Sequence, residues 1–529
     1  MEIHEVLVPL DFAVVGLYLV ILIGIGAWVS FKKDRDTDEN LFLAGNSLGW
    51  PSIGFTMWGT NVGPSMLIAS ASIGYTTGIV AGNFAWYAFI FIFLLAVVFA
   101  PRYMGARVQT LPEFMGKRFG DSTRNILAWY MIVTILISWL SLTLFAGGIL
   151  IRQILNFPMW LSVIVLIIIA AFFTIAGGLK AIAYTNVFQM ILLIVVSLAL
   201  TLTGIYSVGG VGELIARAPA EYWNLFLPAD DPNYPWIAII LGYPVMGVWF
   251  WCTDQSMVQS VLGAKNLKQG QLGANFTGWL KILDVPLFIL PGILCFLIFP
   301  DLENPDEAYM TMVTKLFPVG MTGLVMAVLI AALVSTIDSA LNALSTVFTV
   351  DIYVKKYHPN ATQKRVVMVG RIVTVVGALL AIFITLAIDS IRGLNLFDIF
   401  QSVLGFIAPP MSVVFLFGVL WKKTTTKAAN TILIFGTLLS IGTGIMYLWV
   451  FPQEVYGIWP HFLLLSFYIF VFLCFLVVII SLVDSKRKDV STNVLDYGKL
   501  PRIPTNVKWL WAVLIVIMIA LYIIFNGHG

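Results

Sequence analysis

Apolar stretches of about 20 residues, the length at which a helix crosses a bilayer, recur from one end of this chain to the other. In lipid every backbone polar group needs a partner within the protein, so a chain patterned this way folds as a bundle of membrane-spanning helices. Composition agrees: of 529 residues, 60% are hydrophobic and 11% charged, too few charges to cover a water-soluble particle of this size. A net charge of +3 argues against a nucleic-acid partner. Cys252, Cys295 and Cys474 sit singly in apolar stretches and suggest neither a disulfide framework nor a metal site. His4, His358, His461 and His528 are scattered over ends and loops and form no metal cluster.

Hydropathy marks about fourteen spans, numbered here from 0 to 13: 11–31, 52–79, 83–104, 125–152, 158–177, 183–206, 236–262, 274–299, 318–350, 366–388, 396–420, 428–450, 459–484 and 507–526. With the N-terminus placed outside and the spans alternating, only Arg152, Arg217, Lys315 and Arg392 fall outside and Lys281 within the membrane. The rest of the 30 Lys and Arg residues fall inside, the bias of the positive-inside rule. Both termini are therefore expected outside. Glu2 and Glu5 precede the first apolar run and no small-residue cleavage site follows it, so that run reads as a retained helix and not a cleaved signal. No loop is long enough to form a soluble domain, which leaves no place for a cytoplasmic signalling module.

Two spans carry helix breakers at corresponding places. Span 1 contains Gly59-Thr60-Asn61-Val62-Gly63-Pro64, and span 6 contains Gly242-Tyr243-Pro244 and then Gly247. Glycine and proline cost helix stability. Breaks five spans apart fit a 5+5 inverted repeat, spans 1–5 and 6–10, with the binding site at the breaks. The other reading is that Gly and Pro are simply frequent in transmembrane helices. The expected fold is thus an all-α membrane protein, one transmembrane domain over residues 1–529. It comprises a leader helix at 11–31, a first repeat at 52–206, an inverted second repeat at 236–420 and three accessory helices at 428–526.

Polar groups at membrane depth are functional candidates. In span 8, Ser335, Thr336, Asp338 and Ser339 put three hydroxyls and a carboxylate within five residues, and Ser335, Asp338 and Ser339 share a face. Oxygen donors of this kind suit an alkali cation, though Ser and Thr also bond within their own helix. Lys281 is either a snorkelling side chain or a donor in a central cavity. Asp254, Gln255 and Gln259 lie near the inner end of span 6; Gln401 lies below Phe397 and Phe400 in span 10. Amides read hydroxyls well because they both donate and accept, and aromatic rings beside them suit sugars, although such a stripe also serves as plain core. No phosphate loop, nucleophile elbow or His/Glu metal helix is present, so no enzyme is expected.

Further stretches carry a resemblance: Leu41-Phe42-Leu43-Ala44-Gly45-Asn46-Ser47-Leu48; Thr110-Leu111-Pro112-Glu113-Phe114 with Lys117-Arg118-Phe119; Gly177-Gly178-Leu179-Lys180-Ala181; Trp251-Cys252-Thr253-Asp254-Gln255 with Val258-Gln259; and Leu341-Asn342 leading to Phe348-Thr349-Val350-Asp351-Ile352-Tyr353. Over nearly the whole chain they resemble the solute:sodium symporter family, which includes animal sodium/glucose cotransporters and bacterial galactose symporters. The resemblance implies sodium-coupled import of a small polar solute by alternating access, in the plasma (inner) membrane, with Na+ as coupling ion, one or two per cycle. Its partners are the solute and the lipid bilayer, with no nucleic acid and no obligate protein partner.

By the same resemblance the main sodium site comprises the carbonyls of Gly59, Val62 and Ala332 and the hydroxyls of Ser335 and Thr336. A second sodium site of some members pairs a span 5 aspartate with two span 8 hydroxyls. Here those positions are Asn186, Asp338 and Ser339. Either Asp338 restores the charge and the second site persists in altered form, or Asp338 titrates or only hydrogen-bonds Asn186. Asn61, Lys281 and Gln401 match sugar contacts, Phe250 and Trp251 the pocket floor, and Phe84 and Phe397 the outer gate. The family's span 2 glutamate is Ala85 here, and its span 1 glutamine or histidine is Met66. Each lost reader costs ~1–3 kcal/mol if its hydroxyl partner stays buried. A sugar derivative, a less hydroxylated polyol or a solute with an apolar group near Ala85 and Met66 is therefore expected over glucose in the usual pose. The alternative is an organic acid, amino acid or vitamin held by Lys281.

Overall fold

The computed structural model describes residues 7–31, 38–155, 157–389, 396–485 and 503–525. Among them the regular structure is helical, with two isolated bridges joining Leu48 to Ala264 and Leu227 to Pro235.

Twelve helices among the described residues are long and apolar enough to cross a membrane, against the fourteen spans read from hydropathy. The difference has two physical causes. Spans 4 and 5 remain two helices within Met159–Ser207, abutting without a loop at Gly178, whose backbone is not helical (φ 55°, ψ −153°), so together they count as one continuous stretch. That backbone conformation is essentially restricted to glycine. A Cβ on Gly178 would also lie 2.1 Å from the Leu41 carbonyl oxygen, so the kink is where Leu41 packs against the turn. Span 1 drops out for the opposite reason: it is two shorter helices, Trp50–Asn61 and Pro64–Thr77, parted at Val62 and Gly63.

Span 6 is also interrupted, but not where its sequence placed the break. The helix Trp236–Val248 runs straight through Gly242, Pro244 and Gly247. It widens to π-helix over Trp249–Thr253 and stops at Asp254, whose extended backbone caps the next helix, Gln255–Leu262. The two glycines serve packing instead. A Cβ on Gly242 would fall 2.2 Å from the Leu463 carbonyl oxygen, and one on Gly247 would fall 2.3 Å from the Phe91 ring.

Span 8, Met321–Val347, is the axis of the molecule. Of its most apolar stretch, extended by the π-helical Phe348–Tyr357, 94% is buried, against 28% for the leader helix Pro9–Phe31. Its polar residues therefore face protein and not lipid. The leader helix is pinned to the start of span 8 by Asp11, whose Oδ1 accepts from the Gly320 and Gly323 amides at 2.7 and 2.8 Å. A carboxylate at a helix N-terminus satisfies amides that lack an intrahelical partner and complements the helix dipole.

The stretches that carry the resemblance mostly tie loops together at one end of the bundle. Thr110 caps Leu111–Phe119 by accepting from the Glu113 amide, and the Glu113 carboxylate accepts from the Gln109 amide just before the cap. Asp351 accepts from Arg124 Nε at 2.6 Å. Gln255 accepts from the Leu111 amide, and Gln259 donates to Phe42 O and Thr346 Oγ1, both at 2.7 Å. Asp254, besides its cap, accepts from Trp139 Nε1 at 3.0 Å. The polar groups at the end of span 6 are thus structural clamps.

Candidate functional site

The break in span 1 faces the middle of span 8. Val62 leaves the helical region (φ −87°, ψ 80°), and the Gly63 amide donates to Asn61 O at 3.1 Å, turning away from Gly59 O, its partner in an unbroken helix. Pro64 has no N–H to offer Thr60 O. Thr336 Oγ1 approaches that carbonyl instead, at 3.3 Å, and is equally close to Ala332 O. Ser335 Oγ is buried without a hydrogen-bond partner and lies 3.1 Å from where a Cβ on Gly59 would stand. The hydroxyls of Ser335 and Thr336 are therefore brought against the Gly59–Gly63 segment. That gathers oxygen donors of low charge, the ligand type an alkali cation takes.

One turn further along span 8, Asp338 is fully buried; its Oδ1 accepts from Ser339 Oγ at 3.4 Å and its Oδ2 has no partner. Ser339 Oγ also meets Ser335 O at 2.8 Å and Thr60 Oγ1 at 2.9 Å, so the hydroxyls form a chain between spans 1 and 8. Asn186 is buried with neither amide atom hydrogen-bonded, to Asp338 or to any other group. Gln189, one turn after Asn186, is likewise buried and unpartnered, as is Thr56 Oγ1 on the first half of span 1. Gln189 and Thr56 were not singled out in the sequence. The i, i+3 spacing of Asn186 and Gln189 is the signal that marks them. Buried polar atoms without partners are uncommon, and each marks a place where an ion or water belongs.

Span 7 supplies a second polar group. Lys281 is 1% exposed, at the end of the helix Leu267–Ile282, so the snorkelling reading fails. Its ammonium donates to Asn61 Oδ1 at 2.8 Å and forms an ion pair with Asp284, also 1% exposed. The other Asp284 oxygen accepts from Trp58 Nε1 at 2.8 Å. The ammonium lies 5.8 Å from the Trp251 ring centroid. Trp58 and Asn61 lie in the last turn before the break in span 1, so this group and the Ser335–Thr336 hydroxyls of span 8 both contact one structural element. Asp284 was missed in the sequence, although a Lys-x-x-Asp spacing puts the two side chains on one helix face.

The remaining predicted residues distribute around this group. Ala85 is buried in the short helix Gly82–Trp86. That helix touches span 7 at both ends: Trp86 Nε1 approaches Ile282 O at 3.4 Å, and Val285 Cγ2 lies 3.1 Å from a Cβ placed on Gly82. Phe84 packs edge-on against Tyr243, and its carbonyl accepts from the Tyr243 hydroxyl at 2.7 Å. Phe250 is half-buried between Trp139 and Trp251. Met66 is half-buried in the second half of span 1. Phe397 and Gln401 belong to the helix Leu396–Leu420, but their side chains lie outside the described residues.

The model of the sodium:solute symporter family matches residues 41–436. The chain is 33% identical over 468 residues to sodium/myo-inositol cotransporter 2 of Homo sapiens, covering 82% of this chain and 69% of that protein. It is 32% identical to sodium/glucose cotransporter 4 of Danio rerio, covering 84% and 72%, and 30% identical to sodium/glucose cotransporter 1 of Ovis aries, covering 91% and 79%. In structure it is similar to a Na+-coupled sialic acid symporter in a substrate-bound outward-open state, with a TM-score of 0.77 and 16% identity over 90% of this chain and 98% of that one. At that identity the likeness is one of fold.

Proposed function

The chain belongs to the sodium:solute symporter family, and from that premise we propose that it imports a sugar or an inositol-like polyol together with sodium, by alternating access. The observation that carries this reading is the union of two sets of groups on the broken span 1. Ser335 and Thr336 meet the break from span 8, and Lys281 of span 7 bonds Asn61 at its edge. A cation bound by Gly59, Val62, Ala332, Ser335 and Thr336 would fix the break in one geometry and with it Asn61. Sodium binding and solute binding then stabilise the same arrangement, which is the differential affinity that coupling requires.

In this reading Asn61, Lys281 and Trp251 line the solute site with Gln401, while Ala85 and Met66 leave part of it apolar. Phe84 and Phe397 close it toward the outside and Phe250 toward the inside. Asp338, Ser339 and Asn186, joined by Gln189, hold a second sodium. Residues 52–206 and 236–420 act as the two repeats that rock against each other, with 11–31 and 428–526 as supports. Both termini face outside across the plasma membrane.

The test is uptake of labelled myo-inositol and glucose into proteoliposomes with and without an inward sodium gradient. Sodium-dependent uptake is expected for at least one of them. Ser335→Ala should raise the half-saturating sodium concentration about tenfold, equivalent to ~1.4 kcal/mol and within the range for losing one bond to a charged group. Uptake indifferent to sodium, or an unchanged sodium dependence in that variant, would overturn the reading.

A further inference from the structure

Lys281 is the obvious place for an anionic solute to bind, yet its ammonium is already matched by Asp284, and both side chains are 99% withdrawn from the surface (1% exposed each). We propose that Asp284 is a specificity-determining residue of the solute site: by closing an ion pair with Lys281 it makes the site electrically neutral, so that it admits uncharged polyhydroxylated solutes and rejects carboxylates. The proposal rests on the solute site described above and deepens it.

The argument is one of valence and of charge. An ammonium has three donors, and here one goes to Asp284 and one to Asn61, leaving one. The carboxylate accepts from Trp58 and Lys281 and keeps further lone pairs. Asn61, the half-exposed member of the group, offers an amide. The set as a whole presents both donors and acceptors. A hydroxyl, which also donates and accepts, can use both. A carboxylate solute only accepts, so it leaves the Asp284 lone pairs unmatched and brings a second negative charge beside a buried one. Placing like charges together in a desolvated site is strongly unfavourable. The Trp251 face beside the ammonium is compatible with the C–H face of a ring and adds no charge.

Trp58 makes Asp284 a fixture and not a mobile counter-ion. Its indole N–H holds one carboxylate oxygen from span 1 while Lys281 holds the other from span 7. A competing anion would therefore have to displace a carboxylate anchored on two elements.

The experiment compares glucose with glucuronate, which differ by one carboxylate, as competitors of sodium-driven myo-inositol uptake and as labelled substrates in their own right. The wild type is expected to accept a neutral solute and exclude glucuronate. Asp284→Asn, which keeps the shape and the Trp58 bond but frees the Lys281 charge, should lower the glucuronate-to-glucose ratio of inhibition constants at least ~10-fold. A gain of anion binding is a readout that structural damage does not produce. Lys281→Met with Asp284→Leu removes both charges; it should weaken neutral solutes and still exclude glucuronate. Should Asp284→Asn fail to fold, this double variant decides, because removing both members of a buried pair leaves no lone charge. Glucuronate carried by the wild type as well as glucose, an unchanged ratio in Asp284→Asn, or unchanged neutral uptake in the double variant would each overturn the proposal. If the wild type shows no sodium-dependent uptake of any of the three, the symporter reading falls first and takes this one with it. If glucuronate is carried with sodium alongside glucose or myo-inositol, only the present inference fails; if glucuronate alone is carried, the sugar or polyol reading fails with it while sodium symport stands.

Discussion

Gly59 shows how tightly a single atom is regulated at the break. A Cβ there would stand 3.0 Å from Met190 Sδ and 3.1 Å from Ser335 Oγ, closer than side chains ordinarily approach. Gly59→Ala is therefore expected to push the Ser335 hydroxyl off the break. Sodium affinity should drop about as far as in Ser335→Ala, roughly tenfold, and the two changes should be far from additive when combined, since they act on one oxygen. Sodium titration of uptake in the two single variants and the double checks this; full additivity would separate Gly59 from the cation site. At this scale the sequence was informative where a residue type is costly in a membrane, as with Ser335, Asp338 and Lys281. It was silent on partners brought from afar. Asp284 follows Lys281 by three residues, but its bond to Trp58 joins positions 226 apart and no local pattern announces it.

Elements were legible in existence more than in continuity. The apolar runs located the helices because lipid leaves the backbone no alternative. Where a helix stops is decided by what packs against it. Pro244 resides within an intact helix, and the interruption of span 6 comes at Asp254, whose carboxylate accepts from the Ser256 and Met257 amides at 2.9 and 3.3 Å. The break in span 1 was readable because Gly63 and Pro64 adjoin, one without a side chain and the other without an amide. Gly178 is the opposite case, a glycine on which the path of two spans depends. Its conformation costs a non-glycine residue ~1–3 kcal/mol, and the Leu41 carbonyl occupies the space a methyl would need. Gly178→Ala should abolish the monodisperse peak of the protein in detergent. Gly16→Ala, at a helical position with nothing within 4 Å of the added carbon, should leave the peak and the melting temperature unchanged. Equal behaviour of the two variants in size-exclusion profiles would show that the kink tolerates a side chain.

For the molecule as a transporter, the consequence of Asp338 is thermodynamic. One sodium entering across ~100 mV releases roughly 2.3 kcal/mol, and a tenfold concentration gradient adds roughly 1.4 kcal/mol, enough for a solute ratio of several hundred. Two sodium ions square that ratio. The central helix carries a buried carboxylate with one oxygen unpartnered, and the buried amides of Asn186 and Gln189 on span 5 make no hydrogen bonds. Among the described residues no cationic side chain pairs with Asp338. A carboxylate removed from water needs a compensating charge or a proton; in the reading proposed above, a second sodium supplies the charge without any change of fold. Asp338→Asn keeps the side chain's size and removes that charge. The reversal potential of solute-coupled current, read at several sodium and solute gradients, should then shift from two sodium ions per solute in the wild type to one in the variant. The Ser335–Thr336 dependence on sodium should survive, because those hydroxyls belong to the other site. A wild type that moves one sodium per solute, with the same ratio in Asp338→Asn, would mean that the carboxylate does not carry a coupling ion, and the accumulation the protein can sustain would be limited to the lower figure.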